Sequence, residues 1–274
     1  MPLVLSSKIE GSLPVDATGL LPESLRGQST QEVQRRLIRR GREQVAIGEL
    51  FDVSGTTDHP SLRFEGDLHA VHNLGAGMAG GDIVAAGLVG LSAGARMRGG
   101  RLTVEGGAGD GAGTAMRGGQ LRISGNAGQG LGGAEPGSPR GMTGGLILVD
   151  GNACEGVGRT MRRGVIAIGG DTGACPAWSM VAGTLVVGGR CGDYPGGGMS
   201  RGTILLLGQH LPELLPTFRE ACLSSPAAIG LLLRWLEDAG FAGAAYKRNR
   251  QFIHYSGDHL GVGQGELLIS AEAA

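Results

Sequence analysis

The sequence is poor in aromatic residues, at 4%, and has no surplus of either charge, its formal net charge being −1. Near-neutrality excludes a global field that would recruit nucleic acid or an anionic membrane. Lysine is almost missing, since two of the 24 basic residues are Lys and the rest Arg. Chemistry rarely demands that ratio, and GC-rich codon usage is the plainer cause. The four cysteines, Cys154, Cys175, Cys191 and Cys222, form no C-x-x-C pair. They read as reduced thiols of a cytoplasmic protein, packed as small buried hydrophobes. No apolar run approaches about 18 residues, so no helix is expected to span a membrane. The opening Met1–Ser6 lacks a basic segment, and its apolar run is too short for a signal peptide.

Glycine, in contrast, makes up 55 of the 274 residues. These glycines follow no G-X-Y period, which excludes collagen. Apolar residues, 41% of the chain, exclude a flexible linker. Such a composition calls for a search for repeats. Beyond the initiator there are seven methionines: Met78, Met97, Met116, Met142, Met161, Met180 and Met199. Their successive gaps are 19, 19, 26, 19, 19 and 19 residues. Gly follows each Met at the third and at the ninth position in all seven units, as in Gly100 and Gly106 after Met97.

Between the two glycines lies an alternating apolar segment, such as Leu102/Val104, Ile147/Val149 and Ile166/Ile168 at the fifth and seventh positions. Period-two apolar residues bounded by Gly signal a β-strand. One strand per unit cannot bury its apolar face alone. Stacking the units about 4.8 Å apart does, and it turns the strands into a parallel sheet with interior ladders of Met, Leu/Ile and Val/Ile. Glycine in regular structure costs about 0.5–1 kcal/mol against Ala. Its recurrence therefore requires positive φ or close approach between stacked units. The residues predict a mainly β fold, a parallel β-solenoid of 19-residue coils spanning 59–210.

Two fainter units precede Met78: His59 with Phe64 five residues on, and Arg40 with Val45 and Ile47. They read as degenerate first coils within a capping segment, residues 1–58. The long unit carries an insertion near 131–140 (LGGAEPGSPR), read as a protruding loop suited to docking. Thr30–Arg40 reads as a short helix stopped by Gly41, with Thr30 as N-cap. It carries Arg35, Arg36, Arg39 and Arg40, with Arg42 just beyond. A solvated face is the plain reading of these arginines; a dock for an acidic partner or polyanionic ligand is the functional one. Residues 211–274 read as a cover, with helices around 214–222 and 226–239 and strands at 251–255 and 266–270.

Chemistry is sparse. His69-x-x-His72 could present two imidazoles, but no Cys or carboxylate stands near at metal spacing. Gly261–Gly265 lacks the Lys-Ser/Thr of a phosphate loop and the spacing of a dinucleotide fingerprint. Polysaccharide-cleaving β-helices need clustered carboxylates, whereas Asp110, Glu155, Asp171 and Asp193 are scattered along the sequence. A stand-alone carbohydrate-active β-helix is the weakest alternative. No catalytic and no metal-ligating residue is assigned.

The M-x-G-G-x-L-x-V-x-G-x-A-G pattern of Met97–Gly109 and Met116–Gly128 resembles the Gly-rich (GXGXG) β-helix shared by the C-terminal domain of glutamate synthase and the C subunit of formylmethanofuran dehydrogenases. Arg40–Gly55 and the closing run from Phe252 to Leu268 favour the C subunit, and the resemblance covers roughly residues 30–270. It implies a right-handed parallel β-helix that binds partners and leaves catalysis to them. Those partners are a molybdenum/tungsten-type (dehydrogenase-B-like) subunit and an amidohydrolase-like subunit with metals. A related complex of methylotrophic bacteria adds a formyltransferase. It moves a formyl group between tetrahydromethanopterin and a methanofuran-type carrier and releases formate. The expectation is a non-catalytic scaffold of the formyltransferase/hydrolase complex in one-carbon metabolism, with the C subunit of a true molybdenum/tungsten dehydrogenase as the alternative.

Overall fold

The structure, a computed structural model, describes residues 1–241 and 250–271. Parts of the expected C-terminal cover, 242–249 and 272–274, lie outside the described residues. Its centre is a 13-stranded sheet in which the strands of all seven repeats pair in parallel, each with the next. The register is strict: Leu102, Leu121, Ile147, Ile166, Leu185 and Ile204 stand opposite one another in turn. The seven repeat methionines and both alternating positions are at most 1% exposed. A second parallel ladder joins Leu68, Val89, Ala108, Ala127, Ala153 and Thr172 through single bridges on another side of the units.

The two repeated glycines serve different ends. At the third position φ lies between +73° and +120° in every unit, a region that L side chains avoid. At the ninth position φ is ordinary, but space is lacking. A Cβ on Gly106 would lie 2.5 Å from the carbonyl carbon of Gly87 in the unit before. In the long unit Met142 N–H donates to the Gly132 carbonyl at 3.0 Å and pinches off the extra residues. Ala115 N–H reaches the Gly133 carbonyl, while Gly141 N–H reaches that of Thr160. The insertion is therefore 134–140; Leu131 is fully buried in the ladder and not part of the loop.

Both ends of the stack depart from the sequence expectation. The rung before Asp82–Ala85 is Ser61–Glu65, with Leu62 opposite Ile83 and Phe64 opposite Ala85. Phe64 thus takes the seventh position of its unit and not the fifth, because the step back is two residues longer than the repeat. The rung before that is the N-terminal strand Leu3–Ser7, not a unit at Arg40. Val45 belongs to Glu43–Ala46 in a separate four-stranded sheet.

The expected helix over 30–40 stops early. It spans Thr30–Arg35 and is capped by Ser29, whose hydroxyl accepts from Glu32 N–H. Leu37–Arg40 is a strand paired antiparallel with Glu43–Ala46 around Gly41, whose φ is +60°. Hairpin pairing outweighs the helical spacing of Val33, Leu37 and Ile38. The expected helix over 214–222 is also absent. Arg219–Ser224 is an edge strand paired with Phe252–Gly257, while Leu214, Leu215 and Phe218 pack against the interior core.

The helix Ala227–Asp238 does form, and its placement follows from the outward face of the sheet. The sixth position of each unit points away from the interior. In the first three units it holds Val84, Thr103 and Arg122, all partly exposed; in the last four it holds the buried Leu148, Ala167, Val186 and Leu205. Ile229, Leu233 and Leu236 of the helix cover this second apolar patch, with Phe241 and Phe252. Arg122 marks the border, bonded to Asp150 at 2.9 Å and to the Gly240 carbonyl at 2.8 Å.

Candidate functional site

A groove runs along the turn side of the stack, where residues of alternating handedness reverse the chain. Non-glycine residues hold φ near +55° there, among them Ser92, Arg96, Ala115 and Thr160. At one end of the groove Asp16, Arg39 and His72 line a hollow of about 410 Å³. At the other a cleft of about 530 Å³ lies beside Ala134 at the base of the inserted loop, lined by Asp110, Gln129, Glu155, Arg159, Cys175 and Trp178. A further hollow holding Asn73, Ser92 and Asp110 joins the two. The loop itself is tied to the groove by Glu135, 3.4 Å from Arg96.

The acids scattered in the sequence are partly gathered here. Asp110 and Glu155 occupy the same offset of their units, with Gln129 at that offset in the unit between. Asp110 accepts from Gln129 N–H at 2.8 Å, and the Gln129 side-chain amide donates to Glu155 at 3.0 Å. Asp193, at the same offset two units beyond Glu155, accepts from Glu213 N–H at 3.0 Å. Three positions earlier in the unit a parallel ladder runs through side-chain oxygens: Asn126 to Asn152 N–H at 2.8 Å, Asn152 to Asp171 N–H at 2.8 Å, and Asp171 to Arg190 N–H at 2.6 Å. These side chains tie one unit to the next. The sequence signal, Asn or Asp at a constant offset, was available but visible only once the offset was known to be a corner.

The paired histidines separate. His69 is exposed and 2.7 Å from Asp67, whose pKa the imidazole hydrogen bond lowers. His72 Nδ1 accepts from Leu91 N–H at 2.8 Å, which places its proton on Nε2, and burial lowers its pKa. Asp16 is drawn up by burial, but hydrogen bonds from Thr18 and Asn73, with Arg39 nearby, leave its carboxyl below the usual range. No group of three or more His, Cys, Asp or Glu among the described residues is placed to hold a metal ion. Gly261–Gly265 lies where the chain turns into the last strand, with Val262 57% exposed.

The five arginines expected to act together point several ways. Arg36 donates to the Ser24 carbonyl at 3.0 Å and Arg40 to that of Glu10 at 2.9 Å. Arg39 stands opposite Asp16 across the small sheet and lines the groove. Arg35 and Arg42 are exposed. Of the cysteines only Cys191 is buried, burial pushing its thiol up to about 12; Cys154 and Cys222 are exposed, against the expectation of four buried thiols. Two facts explain this: Cys154 and Cys175 fall on the turn corner, and Cys222 lies on the edge strand.

No family model matches the chain. Over 93 residues it is 34% identical to the C subunit of the tungsten-containing formylmethanofuran dehydrogenase 2 of Methanothermobacter wolfeii, covering 32% of this chain and 34% of that one. Over 92 residues it is 36% identical to the C subunit of the molybdenum-containing formylmethanofuran dehydrogenase 1 of Methanothermobacter marburgensis, covering 33% and 23%. The chain thus spans about a third or less of the length of these curated relatives. It matches a chain in the crystal structure of the formyltransferase/hydrolase complex (FhcABCD) from Methylorubrum extorquens in complex with methylofuran. That match has a TM-score of 0.90 and 35% identity, and covers 98% of this chain and 99% of the other.

Proposed function

Because the chain belongs to the same family as the subunit it matches in the Methylorubrum extorquens complex, and is homologous to the C subunits of formylmethanofuran dehydrogenases, we propose that it is the C-type subunit of a formyltransferase/hydrolase complex and a scaffold without catalytic activity of its own. The observation that carries this is the end-to-end match, against a partial one to the dehydrogenase subunits. The use of the repeated residues supports the scaffold role. The methionines, both glycines, the strand positions and the Asn/Asp ladder are all spent on stacking one unit on another.

In this reading the parallel units wind as a right-handed β-helix, the hand that parallel crossovers take. Residues 1–58 cap it, 59–210 form it, and 211–274 cover it. It holds amidohydrolase-like, formyltransferase and dehydrogenase-B-like subunits at fixed separation in a cytoplasmic complex. A formyl group then passes between tetrahydromethanopterin and a methanofuran-type carrier, with metals in the partner subunits. Arg35, Arg39 and Arg42, exposed at one end of the molecule, are where an acidic carrier would touch this chain. The C subunit of a molybdenum or tungsten dehydrogenase is the second reading, favoured by the sequence matches.

The test is reconstitution. The purified chain alone, supplied with metals, is expected to show neither formyl transfer nor hydrolysis, and its omission is expected to dissociate or silence the assembled complex. Clear activity of the lone chain would overturn the scaffold reading.

A further inference from the structure

One corner of the stack, away from the groove, is built from arginine. Arg98, Arg117 and Arg162 directly follow the buried methionine of their units, and Arg163 and Arg201 come one residue later. Backbone bonds set these positions one above another: Arg98 N–H to the Met78 carbonyl at 2.7 Å, Arg117 to Met97 at 2.7 Å, Arg162 to Met142 at 2.8 Å. No Asp or Glu occupies either offset in any of the seven units.

At the C-terminal end of this line the surface hollows into a cleft of about 550 Å³, walled by Arg162, Arg163, Arg201, Thr143 and Ser200. Val181 and Val262 supply its apolar side, and among the described residues no carboxylate lines it. Arg163 and Arg201 hold the same offset two units apart, with the small Ala182 at that offset between them. Two strand spacings put their backbones about 9.6 Å apart, so guanidinium groups reaching inward from both sides can meet over Ala182.

Three arginines elsewhere have carboxylate partners: Arg63 pairs with Glu65 and Glu105, Arg96 with Glu135, Arg122 with Asp150. Around this cleft no ion pair forms among the described residues. The planar guanidinium forks of Arg163 and Arg201, which line the cleft without an ion pair, fit an oxyanion best.

We propose that this cleft is an oxyanion-binding site, its ligand a carboxylate on a short aliphatic body that lies against Val181 and Val262. Arg163 and Arg201 grip the oxyanion, Arg162 adds a third donor, and Thr143 and Ser200 offer hydroxyls. Arg117 and Arg98 extend the positive potential along the corner and steer the anion without touching it. The site stands on these residues and is independent of the assembly reading.

Isothermal titration calorimetry of the full chain at low salt, with glutarate and separately with inorganic phosphate, tests it. Saturable binding of glutarate is expected, weakened about ten-fold or more in Arg163→Gln/Arg201→Gln, the loss of two charge-assisted contacts. Arg98→Gln/Arg117→Gln is expected to change the affinity about two-fold at most, through longer-range attraction alone. Arg98, Arg117, Arg163 and Arg201 are all exposed, so both double variants are expected to fold. Tighter binding of phosphate would keep the site and assign it to a phosphoryl group. Absence of saturable binding of either anion overturns the proposal. Equal weakening by the two double variants also overturns it, because a diffuse positive surface would then account for the binding.

Discussion

Leu267 stands opposite Ile204, in the ladder position that Ile204 itself holds over Leu185, although the chain leaves the repeats and returns from the far side of a helix to place it there. Gly265 likewise stands opposite Gly202. The closing hairpin is therefore one more rung of the sheet, supplied from outside the 19-residue pattern. Both Leu267 and Ile204 are 0% exposed. Leu267→Asp is expected to cost more than about 3 kcal/mol, through an unpaired buried charge. Leu260→Asp, at a side chain 84% exposed in the same hairpin, is expected to stay within about 0.5 kcal/mol. Urea unfolding of the two variants compares them, and equal effects would mean that the hairpin does not close the core. Ile166→Asp, in the middle of the ladder, is expected to match Leu267→Asp.

The left-handed positions predict opposite signs. Gly100 has φ +73°, and a Cβ there would lie 2.5 Å from the Gly81 carbonyl oxygen. Gly100→Ala is expected to destabilise by about 2 kcal/mol or more, from strain and clash together. Thr160 holds φ +56° with a β-branched side chain. Thr160→Gly is expected to stabilise by up to about 1 kcal/mol. Chemical denaturation of both variants reads the signs, and a stabilising Gly100→Ala would refute the account of the third-position glycine.

Thiol labelling separates the cysteines. Cys154 and Cys222 are exposed and are expected to react quickly with a thiol reagent at neutral pH. Cys191 is 2% exposed with its thiol pushed up to about 12. It is expected to react only after unfolding. Fast labelling of Cys191 in the native protein would show that the corner beside Thr172 is open.

Asp258 gives an acid-dependent term. Burial raises its pKa, but Leu260 N–H at 2.9 Å and Gly198 N–H at 3.0 Å hold the carboxyl below the usual 3.8. A carboxylate depressed on folding contributes stability above its unfolded pKa and loses it as pH falls through the folded one. Asp258→Asn is thus expected to be destabilising by about 1–2 kcal/mol near neutrality. Its deficit against the parent protein is expected to shrink once the pH falls below 3.8. Denaturation midpoints of the two proteins across that window check the sign; a constant deficit would count against it.

In a reconstituted complex, Arg35→Ser, Arg39→Ser and Arg42→Ser together are expected to raise the KM for an acidic carrier, more so at low salt. An unchanged KM removes this chain from the carrier's path.

The repeat was legible because its constraints are local and identical in every unit. Met78 to Met199, the two glycine positions and the alternating strand announce the register of the sheet, since a one-residue slip would turn Ile166 and Ile168 outward. Where local pattern and long-range pairing compete, tertiary structure decided. Leu37–Arg40 has helical spacing but pairs with Glu43–Ala46, and the expected helix over 214–222 gives way to Leu214, Leu215 and Phe218 packed on the core and Arg219–Ser224 at the edge beside Phe252–Gly257. The same holds for the partnership of Leu3–Ser7 with Ser61–Glu65, for the helix lying over Leu148 and Leu205, and for the corner that gathers Arg162, Arg163 and Arg201. Sequence by itself determined that units stack and which side chains face inward, because burial and glycine sterics act within one unit and its neighbour. Only the folded chain decided what closes the ends, what covers the outer face and which charges meet, because those depend on segments far apart in sequence finding the same unsatisfied edge.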